Sequence, residues 1–78
     1  MEETNGMLLK RKKDKLLIDL ELLDKNAVPA AFILNYTGEV IEKIQLNEGY
    51  NLLDLMPYNN KNYSIRITNG KNVIVQKI

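Results

Sequence analysis

The chain has 78 residues, 45% of them hydrophobic, with 11 basic and 10 acidic side chains, a net charge of +1, and neither His nor Cys. That length fits one small domain, and the missing Cys and His remove disulfides, zinc clusters and imidazole- or thiol-based catalysis. A nearly neutral balance supplies no global field toward nucleic acid or an anionic membrane, and no apolar run approaches the ~20 residues that span a bilayer.

Met1 to Gly6 is acidic and polar. It is unlike a secretory leader and reads as a flexible lead-in to a domain over residues 7–78. Both a cytosolic chain and a piece of a longer protein fit such a start. Met7 to Lys12 is a candidate first strand, and Lys10 to Lys15 is the one dense charge run. The spacing predicts a strand over Lys15 to Leu23, because Leu16, Ile18, Leu20 and Leu22 share one face while Asp19 and Glu21 take the other. A helix competes for this segment, since Leu16, Leu20 and Leu23 also fall at helical spacing and Leu and Lys are good helix formers.

Asp24-Lys25-Asn26 is a turn, and Pro29 bars a central-strand position for itself. Ala30 to Tyr36 is apolar and ends at a Thr37-Gly38 turn. Glu39 to Leu46 follows, with Val40, Ile44 and Leu46 expected on one inward face. Asn47-Glu48-Gly49 turns the chain into a strand over Tyr50 to Leu55, and Met56 to Lys61 is a connection containing Pro57. Asn62 to Thr68 alternates, with Tyr63, Ile65 and Ile67 inward and Ser64, Arg66 and Thr68 outward. Asn69-Gly70 predicts a type I′ hairpin, which needs positive φ at both central residues, and Asn72 to Ile78 closes the sheet. Six or seven short strands with little helix predict an all-β chain, a small immunoglobulin-like antiparallel β-sandwich.

The side chains offer little catalytic chemistry. Ser64 is the one serine, it falls on the polar beat of a strand, and no histidine exists to activate it. The carboxylates Asp19 with Glu21, and Glu39 with Glu42, alternate with core positions and read as solvated acids. Asn59, Asn60 and Asn62 form a polar loop without the acidic oxygens that calcium requires. No catalytic, cofactor-binding or metal-binding residue is expected, and no enzyme activity. The Lys10 to Lys15 run suits either phosphate contacts or an edge strand guarded by lysines. The second reading is preferred, so a nucleic-acid partner is not expected. Of the four tyrosines, Tyr63 is expected in the core, while Tyr36, Tyr50 and Tyr58 cover sheet edges.

Four stretches share a rhythm. Ile33-Leu34-Asn35-Tyr36-Thr37-Gly38-Glu39-Val40-Ile41 follows the pattern Ile-Tyr-Asn-x-x-Gly-Gln-x-Val, with Glu39 at the glutamine position. Gly49 precedes Leu53-Asp54-Leu55-Met56, against Ile-Asp-Leu-Ser in the pattern. Met56-Pro57 leads through Tyr58-Asn59-Asn60-Lys61-Asn62 to Tyr63-Ser64-Ile65-Arg66-Ile67, against Leu-Pro-Ala-Gly-x-Tyr, with Lys61 replacing the glycine. Asn69 to Ile78 is similar to a Gly-Lys-x-x-x-x-x-Lys-Ile terminus. Together, from Leu16 to Ile78, they resemble the type A C-terminal sorting domains of the type IX secretion system of Bacteroidota.

The resemblance implies a non-catalytic recognition domain that directs an exported protein across the outer membrane. Its implied partners are the outer-membrane translocon and a sortase-like protease. Its implied route is the periplasm in transit, then the cell surface or the extracellular medium. The terminal hairpin is the expected recognised element, through Tyr63, Ile65, Ile67, Gly70, Lys71, Val73, Val75, Lys77 and Ile78. Two other readings remain open: a structural or adhesive immunoglobulin-like module of a larger surface protein, and a small nucleic-acid-binding β domain using Lys10 to Lys15.

Overall fold

A computed structural model describes residues 2–4, 6–22, 24–59 and 62–78, with the backbone alone for Glu2–Thr4. The strands in chain order are β1 (Glu2–Thr4), β2 (Met7–Lys12), β3 (Lys15–Leu20), β4 (Ala30–Leu34), β5 (Val40–Gln45), β6 (Gly49–Asp54), β7 (Ser64–Thr68) and β8 (Val73–Lys77), with one short 3-10 turn at Met56–Tyr58. They form two four-stranded sheets, ordered β1-β2-β3-β6 and β5-β4-β7-β8. All pairings are antiparallel. The connections β3 to β4, β5 to β6 and β6 to β7 each cross from one sheet to the other, so the two layers are interleaved as in a Greek-key β-sandwich. Among the described residues, no helix is long and apolar enough to cross a membrane.

The alternation along Lys15–Leu20 resolves the helix–strand competition. Leu16, Ile18 and Leu20 are buried, and β3 is hydrogen-bonded on both sides, to β2 and to β6. A central strand satisfies its backbone groups through two neighbours at once, which outweighs the modest helix preference of Leu and Lys. Leu22 continues the inward beat as a partly buried residue against the core. Leu23, the expected end of this strand, lies outside the described residues, as do Met1, Asn5, Asn60 and Lys61.

The inner faces of both sheets supply one core, in which Met7, Ile18, Ala31, Ile33, Leu55 and Ile67 are fully enclosed. Three details differ from the sequence reading. The expected flexible lead-in contains a strand: Glu2–Thr4 pairs with Met7–Leu9. Gly6 reverses the chain at φ 90, and its carbonyl accepts the Glu21 amide at 2.7 Å, which ties the turn to β3.

The second difference is Val40, expected inward but 46% exposed. Ala31 faces Ile44 and Ile33 faces Glu42, yet the next residue, Leu34, faces Val40, so Ile41 is an extra residue in a bulge. One inserted residue reverses the inward–outward phase beyond it. Ile44 is partly buried and Leu46 fully buried, on the expected face.

The third is the Asn69-Gly70 turn. Thr68 pairs with Val73, so four residues form the loop. Lys13 is the one non-glycine with positive φ among the described residues, which leaves Asn69 outside the type I′ geometry. Asn69 is instead fully buried. Its Oδ1 accepts the amides of Lys71 at 3.1 Å and Asn72 at 2.9 Å, and its Nδ2 donates to the Glu21 carbonyl at 3.3 Å. An Asx turn of this kind builds the loop from a side chain rather than from left-handed backbone.

Candidate recognition surface

The recognised hairpin expected from sequence is β7 and β8, and its parts differ in accessibility. Ile65 and Ile67 are buried in the core, so they hold β7 in place and cannot meet a partner directly. Tyr63 is half-buried and packs on the core, with its ring edge-on to Tyr58 at 5.4 Å and 87°. The Tyr58 hydroxyl donates to Glu42 on β5. Ile78 also packs against the core, and its amide donates to the Tyr63 carbonyl at 3.0 Å. Gly70, Lys71, Val73, Val75 and Lys77 are exposed, with Val73 and Val75 each at 57%.

Strand β8 is the edge of its sheet. The register Ser64↔Lys77 extends to Tyr63 opposite Ile78, where the bond is made, and to Asn69 opposite Asn72, where Asn69 donates at 3.3 Å. Hydrogen-bonded pairs alternate along an antiparallel ladder. Ile65–Gln76 and Ile67–Ile74 are therefore the bonded pairs. Val73, Val75 and Lys77 direct their backbone N–H and C=O groups away from β7, toward open space beyond the sheet edge. Their side chains stand on the outer face beside Thr68, Arg66 and Ser64. On that face the Arg66 guanidinium lies 4.8 Å from the Phe32 ring centroid, and the Lys43 ammonium lies 5.9 Å from it. Phe32 is thus held among cations. Sequence reasoning missed this cluster because it joins three strands whose order is not local.

Some of the residues that carried the resemblance, Asn35, Gly38 and Pro57, build turns. Asn35 Oδ1 accepts from the amides of Thr37 and Glu39 and from the Thr37 hydroxyl, while its Nδ2 donates to the Glu39 carboxylate at 3.1 Å. Gly38, at φ 88, completes that reversal. Asn51 ties the next turn, accepting the Asn47 amide at 2.8 Å and donating to the Asn47 carbonyl at 2.8 Å. Pro57 sits in the first turn of the 3-10 segment, where the Tyr58 amide donates to the Leu55 carbonyl at 2.9 Å. Ser64 lies on the outer face of β7, partly exposed.

The Lys10 to Lys15 run spans the end of β2, a tight turn at Lys13 and the start of β3. Strand β1 pairs only with Met7–Leu9, so the Lys10–Lys12 part of β2 is an edge. Arg11 Nε donates to the Lys13 carbonyl at 2.6 Å, and Asp14 accepts from the Asn59 side chain. The turn is thereby joined to the 3-10 segment, where Leu55 donates to the Asp14 carbonyl at 2.6 Å.

The Asp54 carboxylate sits at the end of β6, beside Lys15 and the start of the 3-10 segment. The Met56 backbone amide, bonded at 3.0 Å, and then Lys15, at 3.3 Å, hold it below its ordinary value. Because the folded value is the lower one, this contribution to stability is present above the unfolded value and fades as pH falls through the folded one. The urea midpoint of Asp54→Asn should therefore lie below that of the wild type at neutral pH. The gap should close on acidification below about pH 4. A gap of equal size at both pH values would contradict this. No family model, no curated protein and no solved structure matches this chain.

Proposed function

We propose that this chain is a non-catalytic recognition domain of the type IX sorting kind, read by its export machinery through the C-terminal hairpin. The observation that carries the reading is the position of β8. The last strand lies at a sheet edge, with outward backbone groups at Val73, Val75 and Lys77 and exposed side chains beside them. Such an edge suits β-augmentation, in which main-chain bonds give affinity and alternate side chains give specificity. A translocon strand pairing there meets Val73, Val75 and Lys77 on the outer face, with Lys71 in the adjoining loop. Export through the periplasm to the cell surface, and removal by a sortase-like protease, follow from the same reading.

The test is a fusion of residues 7–78 behind a signal peptide and reporter in a bacterium competent for type IX secretion. Reporter at the surface or in the medium is the expected result, and it should be lost when the translocon is deleted. Reporter retained in the periplasm overturns the proposal.

A further inference from the structure

The outer face of the first sheet belongs to a different layer from the β8 edge and carries its charges in order along the strands. Register fixes three rows across it: Lys12, Lys15 and Asp54 nearest the β2–β3 turn, then Lys10, Leu17 and Leu52, then Leu8, Asp19 and Tyr50. Glu21 follows beyond β3. The turn end is therefore cationic and the other end acidic, an asymmetry that the net charge of +1 conceals. Lys10, Lys12, Lys13 and Lys15 are exposed there. The nearby carboxylates are engaged, Asp14 by the Asn59 side chain and Asp54 by the Met56 amide and Lys15. Among the lysines lies an open groove of about 290 Å³, lined by Lys10, Lys12, Lys15, Leu17 and Leu52, and Leu52 is 67% exposed.

We infer that this basic end of the sheet docks on the anionic surface of a lipid bilayer. Lysines around an apolar groove match an amphiphile, whose charged head meets the ammonium groups while its apolar part covers the leucines. The size of the groove selects a bilayer over a free amphiphile. Its volume lies at the lower limit of the ~300–1,000 Å³ of pockets that enclose small molecules, and it is open, so it cannot bury an acyl chain. In a bilayer the chains are buried already, and the groove needs only to receive headgroups while Leu52 enters the interface. Nucleic acid fits less well. Its phosphates would satisfy the lysines but leave Leu17 and Leu52 uncovered, and Tyr50, the ring that could stack a base, stands beside Asp19 outside the groove.

Each lysine close to an anionic surface strengthens binding about fivefold, and the attraction reaches ~10 Å at 0.1 M salt. Asp19 lies about 7 Å along the strand from Leu17, and Glu21 about 13 Å, at ~3.3 Å per residue. Their repulsion tips the domain so that the β2–β3 turn leads and the acidic end stays in solvent. Docking is accordingly weak, salt-sensitive and oriented.

Vesicle co-sedimentation of the full chain tests this. Wild type should bind phosphatidylcholine vesicles containing ~30% phosphatidylglycerol at up to about 10 mM lipid in low salt, and leave them at ~0.5 M salt. Vesicles of phosphatidylcholine alone should not retain it. Lys10→Gln/Lys12→Gln should weaken binding at least about tenfold, and Leu52→Ser about threefold. The control Lys25→Gln/Lys43→Gln removes the same charge away from the groove and should bind within about twofold of wild type. All the changed side chains are exposed, and circular dichroism matching wild type confirms that each variant is folded before it is scored. Failure of wild type to bind the anionic vesicles overturns the inference. So does a Lys10→Gln/Lys12→Gln variant that binds no more weakly than the control, or a Leu52→Ser variant that matches wild type. A chain that binds a single-stranded oligonucleotide more tightly than the vesicles overturns it in favour of a nucleic-acid ligand.

Discussion

Replacing Gly70 with Ala should destabilise the domain by about 2–4 kcal/mol and lower its Tm by roughly 10–25 °C. Two separable causes act. Gly70 has φ +95, a region that L side chains rarely adopt, and a Cβ built there would lie 2.1 Å from Ala27 Cβ and 3.2 Å from Ala27 Cα. The first cause is backbone strain, worth about 1–3 kcal/mol. The second is steric overlap with the 24–27 turn, of similar size. That turn is itself bonded, with the Ala27 amide donating to the Asp24 carbonyl at 3.0 Å and Asn26 to the Asp24 side chain at 2.9 Å, so it yields poorly. The double variant Gly70→Ala/Ala27→Gly removes the closest overlap and leaves the strain. It should recover about 1–2 kcal/mol relative to the sum of the single changes, as a double-mutant cycle of urea midpoints would show. A Gly70→Ala variant within ~0.5 kcal/mol of wild type, about what a neutral surface change gives, would contradict the packing of these two loops.

The consequence is large because the domain is small. A domain of 78 residues is expected to have a net stability of only about a few kcal/mol, and with no Cys it has no disulfide to add to it. The contact between the 24–27 turn and the Asn69–Asn72 loop closes one end of the sandwich. Asn69 reinforces it through its bond to the Glu21 carbonyl. One buried amide thus organises its own loop and fastens a second.

The core strands were readable from sequence because their signal is local. Leu16, Ile18 and Leu20, and Ile65 and Ile67, announce the inward face by a two-residue beat, and both sets are buried. Val40 shows where that logic stops. The same beat runs through Glu39 to Leu46, but the extra residue at Ile41 resets it, and no local composition marks the insertion. Asn69-Gly70 shows a different limit. The dipeptide correctly signals a turn, while the choice between left-handed backbone and an Asx loop rests on whether the side chain finds partners at Glu21 and Asn72, far apart in sequence. Edges were legible only in part: the lysine run marked one at Lys10–Lys12, where β1 does not reach. That β8 lies outermost while β3, β4 and β7 are central is a matter of strand order, and strand order is set by crossovers between layers rather than by any strand's own residues.

Proline substitutions at adjacent positions of β8 should part sharply in outcome. Ile74 is paired with Ile67 in a bonded position and its side chain is buried at 9% exposure. Ile74→Pro removes a ladder bond worth about 1 kcal/mol and truncates a core side chain at a further cost of about 2–4 kcal/mol, which is enough to unfold this domain. Val75 directs its N–H away from β7, and a proline at such an edge position is tolerated. Val75→Pro should therefore keep the wild-type circular dichroism spectrum, with a Tm lowered by only several degrees. The two variants then separate folding from recognition in the export assay. Val75→Pro should leave a folded domain whose reporter stays in the periplasm, because a pairing strand loses the donor at the middle of the edge. A folded Val75→Pro variant exported as efficiently as wild type would remove strand addition at this edge as the means of recognition. Equal stability of the two variants would mean that the bonded pairs along β8 fall one residue away from Ile74.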